Sequence, residues 1–203
     1  MSIQAVAFDY GGVICFPPSE ESLQELGHLT GLSPMCFAEL NRKFRLEYDR
    51  GVYTGVEYFH SILSGAGIFL DEASLERIAQ TELNGWKRIN PDTVQLMRDV
   101  KSSGIKLAIL SNIPVDLLAW AVEQPVFTEA DVGIYSCEHK LVKPEKGIYE
   151  KLKEQLNLEY AEIVFFDDKP ENIDTARELG MNGFVWENPA CAREILNTYC
   201  IFS

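Results

Sequence analysis

The chain has 203 residues, of which 46% are hydrophobic, and this is enough apolar material for one large domain with a buried core. Its formal net charge of −13 would repel a phosphodiester backbone or an anionic lipid surface, so we expect neither nucleic acid nor membrane as a partner. Five cysteines, an odd number without a CxxC pair, predict reduced thiols in a cytoplasmic protein. We expect neither a signal peptide nor a membrane span.

The first predicted element is a buried strand at residues 3–8, an apolar run that ends at Asp9 and is followed by Gly11 and Gly12. An isolated Asp-x-Gly most often opens a surface turn. Open α/β sheets, however, bind their ligands at the carboxyl ends of the strands. Asp9 is therefore a candidate functional residue if later strands end in comparable groups.

Residues 17–88 follow the period of α-helices rather than that of strands. We expect four amphipathic helices here, beginning near Ser19, Ser33, Thr54 and Asp71, which are residue types that favour the N-cap position. Their connections are short. The pattern predicts a small helical bundle inserted after the first strand.

From residue 89 onward, helical segments alternate with short apolar runs, which is typical of a parallel sheet covered by helices on both faces. Residues 1–16 and 89–203 would together form a three-layer α/β core, with residues 17–88 as an inserted α-helical bundle. Further strands are expected at residues 105–110, 133–135, 163–166 and 183–186.

Three of the predicted strands end in polar residues at the same edge of the sheet. These residues are Asp9, Ser111, Asn112, Asp167 and Asp168. Lys143 precedes a helix on the same side, although a lysine in that position would on its own be interpreted as solvated. Chance would scatter such groups over both edges, so together they predict one site.

Carboxylates brought this close cannot all stay ionised without a cation between them. Oxygen ligands with open positions suit Mg²⁺, which also accepts an oxygen of a substrate phosphate. Asp9 could then attack phosphorus, while Mg²⁺ and Lys143 neutralise the phosphoryl oxygens. The Ser111 hydroxyl and the Asn112 amide can donate to the same oxygens.

Four segments resemble the motifs of the haloacid dehalogenase superfamily, in that family's order. They are FDYGGVI at 8–14, LSN at 110–112, VKP at 142–144 and FFDD at 165–168. The resemblance implies a Rossmann-like core with a helical cap over about residues 17–88.

The resemblance also implies roles for individual residues. It assigns Asp9 as the nucleophile, and Asp9, the Gly11 carbonyl and Asp168 as direct Mg²⁺ ligands with Asp167 nearby. Ser111, Asn112 and Lys143 would hold the phosphate.

The acidic pair at residues 167–168 favours the Mg²⁺-dependent phosphatase-like branch over the metal-free dehalogenases, which lack it. Residues 88–91 and 171–173 look similar to the phosphatase domain of mammalian soluble epoxide hydrolases and to small bacterial sugar-phosphate phosphatases. We therefore expect a Mg²⁺-dependent phosphomonoester hydrolase. It would act on a small phosphorylated metabolite through an aspartyl-phosphate on Asp9.

Gly11 departs from the phosphatase pattern, which has a second Asp there as the acid and base of the reaction. A positioned acid–base contributes about 10²–10⁴-fold to the rate. The alternative is therefore a weak or inactive binding or regulatory protein, although relatives with Asp-x-Gly-Gly can still be phosphatases. A substitute could come from Glu47, Tyr48 or Asp49, among which spacing does not choose.

Arg42, Arg45 and Tyr48 belong to the most polar part of the insertion and are candidates for substrate specificity. Helical spacing puts both arginines near one face with Asp49. A solvated face with ion pairs explains the same pattern equally well. The substrate, and whether the protein is a monomer or a homodimer, stay open at this stage.

Overall fold

The computed structural model describes residues 2–202 of the chain. These residues include five strands, β1 to β5 in chain order, that form one sheet in the order β3-β2-β1-β4-β5. Every neighbouring pair of strands is parallel, so the carboxyl ends of all five lie at one edge. This confirms the predicted parallel sheet. The strands are Ala5–Phe8 (β1), Lys106–Ser111 (β2), Val132–Tyr135 (β3), Ile163–Asp167 (β4) and Asn182–Val185 (β5).

Helices connect the strands and cover the sheet. In residues 2–202 they are Glu20–Thr30 (α1), Pro34–Asp49 (α2), Gly55–Gly65 (α3), Glu72–Gly85 (α4), Pro91–Ser102 (α5), Val115–Ala121 (α6), Pro125–Thr128 (α7), Ser136–His139 (α8), Lys146–Leu156 (α9), Pro170–Glu178 (α10) and Pro189–Thr198 (α11). The sequence did not predict α7 and α8, because one turn is too short to show helical periodicity. Over the same range, no helix has both the length and the apolar character that crossing a membrane requires.

The central strand β1 shows why its sequence is apolar without interruption. Val6 and Phe8 pack into the hydrophobic cluster on one face of the sheet, and Ala5 and Ala7 pack into the cluster on the other face. All four side chains are fully buried. The sheet is therefore covered on both faces, which confirms the expected three-layer α/β fold.

The helices α1 to α4, which we call the insertion helices, surround a hydrophobic cluster of their own. Its centre is aromatic: Tyr48 of α2 stacks on Tyr58 of α3 with ring centroids 4.4 Å apart, and Phe59 packs edge-on against Tyr58. The four predicted N-cap residues, Ser19, Ser33, Thr54 and Asp71, each accept a backbone N–H of their own helix. The division of the chain at residues 17 and 88 stays a prediction.

The C-terminal end of α2 is tied to the region that follows β3. The Ser136 hydroxyl donates to the Asp49 carbonyl over 2.5 Å, and Lys140 Nζ donates to the Gly51 carbonyl over 2.9 Å. Arg50 binds Glu145 with two N–H groups, at 2.7 and 3.0 Å. These contacts hold the end of α2 against the part of the fold that carries the predicted site.

Candidate active site

A cavity of about 270 Å³ lies where the carboxyl end of β1 meets the insertion helices. Five of the predicted core residues line it, namely Asp9, Gly11, Asn112, Lys143 and Asp168. Helix α2 contributes Asn41, Arg45 and Asp49 to the cavity wall, and Trp86, which directly follows α4, also lines the cavity. A larger groove of about 780 Å³ between α3, α4 and α6 is lined by none of the predicted site residues, so the smaller cavity is the candidate site.

Asp9 sits directly after β1, where its backbone N–H continues the sheet by donating to the Phe166 carbonyl over 2.9 Å. Its Oδ1 accepts the Tyr10 N–H at 2.7 Å and Lys143 Nζ at 2.8 Å. Among residues 2–202, none donates a hydrogen bond to the second carboxylate oxygen, Oδ2. One oxygen of Asp9 is thus fixed by the protein, and the other is available to a ligand in the cavity.

Lys143 is 2% exposed, and its ammonium has three acceptors for its three N–H groups. These are the Leu110 carbonyl at 2.8 Å, Asp167 Oδ2 at 2.6 Å and Asp9 Oδ1 at 2.8 Å. Burial disfavours the charged form, but the two carboxylates outweigh burial and raise the pKa of Lys143. The ammonium is therefore kept charged beside Asp9.

Asn112 holds the backbone of Lys143 from the neighbouring strand end. Its Oδ1 accepts the Lys143 N–H at 2.7 Å, and its Nδ2 donates to the Lys143 carbonyl over 3.0 Å. These two hydrogen bonds position Lys143. Because Nδ2 carries a second hydrogen, Asn112 also keeps one donor for a ligand.

Asp167 is fully buried and saturated with donors. Its Oδ1 accepts the Lys169 N–H at 2.8 Å and Asn172 Nδ2 at 2.9 Å, while its Oδ2 accepts Lys143. The carboxylate therefore anchors Lys143 and has little capacity left for another partner.

Oxygens of Asp9, Asp167 and Asp168 lie within 4.8 Å of one another. One ammonium cannot balance three carboxylates, and burial, only partly offset by Lys143, raises the pKa of Asp9 to about 6. Oxygen donors with an uncompensated negative charge fit a hard divalent cation such as Mg²⁺. Asp9, Asp168 and the Gly11 carbonyl are the groups that could hold it.

Gly12 allows Asp168 to approach the end of β1. Its φ of +74° is a conformation that other residues rarely adopt, and a Cβ there would lie 2.8 Å from Asp168 Oδ2. The second glycine of the first motif is thus required by the acidic cluster itself.

Ser111 ends β2 beside the site, although it does not line the cavity as its neighbour Asn112 does. Its hydroxyl is buried, and the described part of the chain offers it no hydrogen-bond partner. Buried polar atoms are nearly always paired. A ligand oxygen at the strand ends would supply the missing partner.

The space above Gly11 is covered by an indole ring. A Cβ on Gly11 would lie 3.5 Å from Trp86 Cζ3. Trp86 is held on both sides, because its Nε1 donates to Glu82 Oε1 over 2.9 Å and its carbonyl accepts the Tyr10 hydroxyl at 2.6 Å. Trp86 is therefore a fixed part of the cavity wall.

The predicted specificity residues separate in the structure. Arg45 lines the cavity, and its guanidinium binds Asp49 Oδ1 at 2.9 Å and Glu82 Oε1 at 2.8 Å. Arg42 is exposed and Tyr48 is buried in the aromatic centre of the insertion helices, and neither lines the cavity. The structure thus brings only one of the three to the site.

Sequence reasoning missed four residues that line or support the site. Lys169 and Asn172 follow the acidic pair, and Asn172 lies in the first turn of α10, so a search of the turn after the fourth motif could have found them. Asn41 and Glu82 lie on α2 and α4, and no local pattern distinguishes them from other polar residues of an amphipathic helix.

Comparison with known proteins agrees with this geometry. The sesquiterpene phosphatase AstK of Aspergillus oryzae is 26% identical, over 90% of this chain and 89% of that protein. The bifunctional epoxide hydrolase 2 of Mus musculus is 27% identical over 95% of this chain, which spans only 38% of that protein. The HAD family enzyme BT-2542 of Bacteroides thetaiotaomicron, solved with magnesium and inorganic phosphate, shares the fold, with a TM-score of 0.71 and 20% identity over 92% of this chain and 95% of that one.

The family model of haloacid dehalogenase-like hydrolases matches residues 3–180, which include all four motifs and the strand ends that meet at the cavity. The chain therefore belongs to the haloacid dehalogenase-like hydrolase family and is a hydrolase.

Proposed function

We propose that the protein is a Mg²⁺-dependent phosphomonoester hydrolase that acts on a small phosphorylated metabolite through an aspartyl-phosphate on Asp9. The observation that carries this proposal is the pair Asp9 and Lys143. One oxygen of Asp9 is fixed by a buried ammonium, while the other is open to the cavity. The phosphatases among the relatives and the structural neighbour that binds magnesium and phosphate support the same reaction.

In this mechanism Asp9 Oδ2 attacks phosphorus, and the alcohol of the substrate leaves from the opposite side. Lys143 keeps Asp9 oriented and contributes positive charge as charge develops on the phosphoryl oxygens. Ser111 and Asn112 donate hydrogen bonds to those oxygens. Mg²⁺, held by Asp9, Asp168 and the Gly11 carbonyl, would supply further charge neutralisation at the phosphoryl group.

The shape of the cavity supports a small substrate. Its volume of about 270 Å³ is just below the range of about 300–1,000 Å³ that ligand sites usually occupy. Arg45 and the Trp86 ring both line the cavity and contact each other, so they offer a polar group and a flat apolar surface to the part of the substrate beyond phosphorus.

A phosphate-release screen over sugar and nucleoside monophosphates, with Mg²⁺ and with EDTA, tests the proposal. We expect release from at least one substrate, its loss with EDTA, and its loss in Asp9→Asn, which keeps the size of the side chain but removes the attacking charge. No release from any substrate together with retained beryllofluoride binding would instead indicate a binding or regulatory protein. Metal-independent release of halide from haloacids would indicate a dehalogenase.

A cytoplasmic location is proposed with this function. Its support is that all five cysteines are free thiols in the described residues. Alkylation of freshly purified protein should modify the more accessible Cys36, Cys191 and Cys200 without prior reduction.

A further inference from the structure

The proposed reaction needs a proton donor that the predicted motifs do not supply. The leaving oxygen of a phosphomonoester departs much faster if it is protonated as the bond to phosphorus breaks, and the water that follows must lose a proton. Gly11 has no side chain, and the Trp86 ring covers the space beside it. Any acid and base must therefore come from elsewhere in the cavity.

Three carboxyl groups line the cavity in residues 2–202, and they belong to Asp9, Asp49 and Asp168. In the proposed function Asp9 attacks phosphorus and Asp168 holds the metal. Asp49 is the remaining one, and it is contributed by the insertion helices rather than by the sheet. We infer that Asp49, at the end of α2, is the general acid and base of the reaction, an inference that rests on the proposed function.

The surroundings of Asp49 suit this role. The residue is 4% exposed, and its Oδ1 accepts Arg45 Nε at 2.9 Å, which fixes the orientation of the carboxyl group. No hydrogen bond from another described residue reaches Oδ2, which leaves that oxygen to the cavity. The Ser136 hydroxyl, directly after β3, donates to the Asp49 backbone carbonyl over 2.5 Å. The backbone of Asp49 is therefore fixed to the end of the sheet as well as to α2.

The charges around Asp49 allow it to hold a proton. Burial, partly offset by Arg45 and Lys169 and reinforced by Glu82, raises the pKa of Asp49 above its usual range. Arg45 comes from the same helix, Glu82 from α4 and Lys169 from the segment before α10. A raised pKa favours the protonated form, which is the form that a general acid needs.

The proton balance closes over the two halves of the reaction. As the bond between Asp9 Oδ2 and phosphorus forms and the bond to the leaving oxygen breaks, the proton of Asp49 moves to that oxygen. A water molecule then attacks phosphorus and gives a proton to Asp49. The bond to Asp9 breaks, inorganic phosphate leaves, and both carboxyl groups return to their starting states.

The two neighbouring candidates on α2 do not reach the cavity. Glu47 pairs with Arg50 Nε at 3.3 Å and does not line the cavity. The Tyr48 hydroxyl is enclosed among the insertion helices, and burial raises the pKa of Tyr48. The structure thus separates three consecutive residues that the sequence left equivalent.

The test compares Asp49→Asn with Glu47→Gln, a matched carboxyl-to-amide change two residues away on the same helix. Two substrates are used: p-nitrophenyl phosphate, which has a good leaving group, and the alkyl monophosphate that wild type hydrolyses fastest. We expect D49N to lose about 10²–10⁴-fold with the alkyl substrate. With p-nitrophenyl phosphate, D49N should release one equivalent of nitrophenol rapidly and then stall as phosphorylated enzyme. E47Q should stay within about twofold of wild type on both.

Several outcomes would overturn the inference. A folded D49N that matches wild type on the alkyl substrate would do so, as would an equal loss on both substrates without phosphorylated enzyme, because a structural role predicts the latter. If thermal unfolding shows that D49N does not fold, a series of leaving groups on wild type decides. If kcat/KM, which reports the departure of the leaving group, is nearly independent of leaving-group basicity, a general acid is supported. A steep dependence of kcat/KM excludes one. Absence of turnover by wild type on every substrate would overturn the proposed function itself.

Discussion

Two ion clusters contribute side chains to the cavity wall, and each places one cation between two carboxylates. In the sheet, Lys143 lies between Asp9 and Asp167, and the three side chains are 1%, 9% and 0% exposed. In the insertion helices, Arg45 lies between Asp49 and Glu82, and Arg45 is 23% exposed. Both cations line the cavity, but the Lys143 side chain is almost fully enclosed, whereas that of Arg45 is partly exposed.

The two clusters are held in place in different ways. Lys143 and its partners are fixed by the ends of adjacent strands, and every N–H of the ammonium is used within the protein. Arg45 on α2 binds Glu82 on α4, so this ion pair depends on how the two helices pack. The Arg45 guanidinium also lies over the Tyr48 and Trp86 rings. We call Asp9, Lys143 and Asp167 the sheet cluster, and Arg45, Asp49 and Glu82 the helical cluster. We expect disruption of the sheet cluster to cost more unfolding free energy, and the helical cluster to adapt more easily.

Lys143→Met should have the largest effect, because it breaks the enclosed cluster. It leaves Asp9 and Asp167 buried without a counter-charge, which typically costs about 3–5 kcal/mol of unfolding free energy. Phosphate release should fall by about 10³-fold or more, since Asp9 also loses its orienting partner. Urea unfolding and the release assay measure both. A stable and active K143M would show that the sheet cluster is not what we describe.

Arg45→Met should cost less, because the Arg45 side chain is 23% exposed, whereas that of Lys143 is 1% exposed. We expect a loss of about 1–3 kcal/mol, as for removing one partner of a partly buried polar pair, and a fall in phosphate release of about tenfold or more as Asp49 loses its fixed orientation. Arg42→Met is the matched control on the same helix. Since Arg42 is exposed, its stability should stay within about 0.5 kcal/mol of wild type.

Gly12→Ala tests the backbone on which the sheet cluster depends, with Gly11→Ala as its control. At Gly12 the positive φ and the approach of Asp168 to 2.8 Å should cost about 1–2 kcal/mol, and the displaced carboxylate should weaken Mg²⁺ binding. At Gly11 a methyl group meets only the Trp86 ring at 3.5 Å, an ordinary contact. Thermal unfolding and calorimetric Mg²⁺ titration of the two variants should therefore differ; equal behaviour would contradict this account of Gly12.

Arg50→Gln should have the smallest effect, because it removes an ion pair at the surface. Glu145 is 41% exposed, so we expect a loss below about 1 kcal/mol. The hydrogen bonds from Arg50 lower the pKa of Glu145, and a lowered carboxyl pKa stabilises the folded state above the unfolded value of 4.5 and ceases to do so as the pH falls below it. The difference in Tm between wild type and R50Q should be largest at neutral pH and shrink in acid. A difference that grows in acid would exclude this pair as its source.

Much of the site at the carboxyl ends of the strands could be predicted from the sequence. Asp9, Asn112, Asp167 and Asp168 each follow an apolar run, and the carboxyl ends of parallel strands meet at one edge whatever the details of packing. The roles within this site were less predictable. Asp167, expected near the metal, has its oxygens occupied by Lys143, Lys169 and Asn172, because α10 begins directly behind β4.

The helical cluster was not predictable in the same way. Arg45 and Glu82 are 37 residues apart on different helices, and polar residues on amphipathic helices usually face solvent. Arg42 and Arg45 looked alike in the sequence, yet one is exposed and the other lines the cavity. Only the way α2 packs on α3 and α4 separates them.

The amino-acid sequence was sufficient to predict the parallel α/β sheet, the family and the set of strand-end groups, because alternating apolar runs and the polar residues that end them are local features of the chain. Tertiary structure alone decided which residue among Glu47, Tyr48 and Asp49 faces the cavity. Successive residues of a helix point about 100° apart, so the rotation of α2 about its axis decides which of the three side chains faces the cavity. Tyr48 sets that rotation by stacking on Tyr58 in the interior of the insertion helices, and the next residue, Asp49, then lines the cavity.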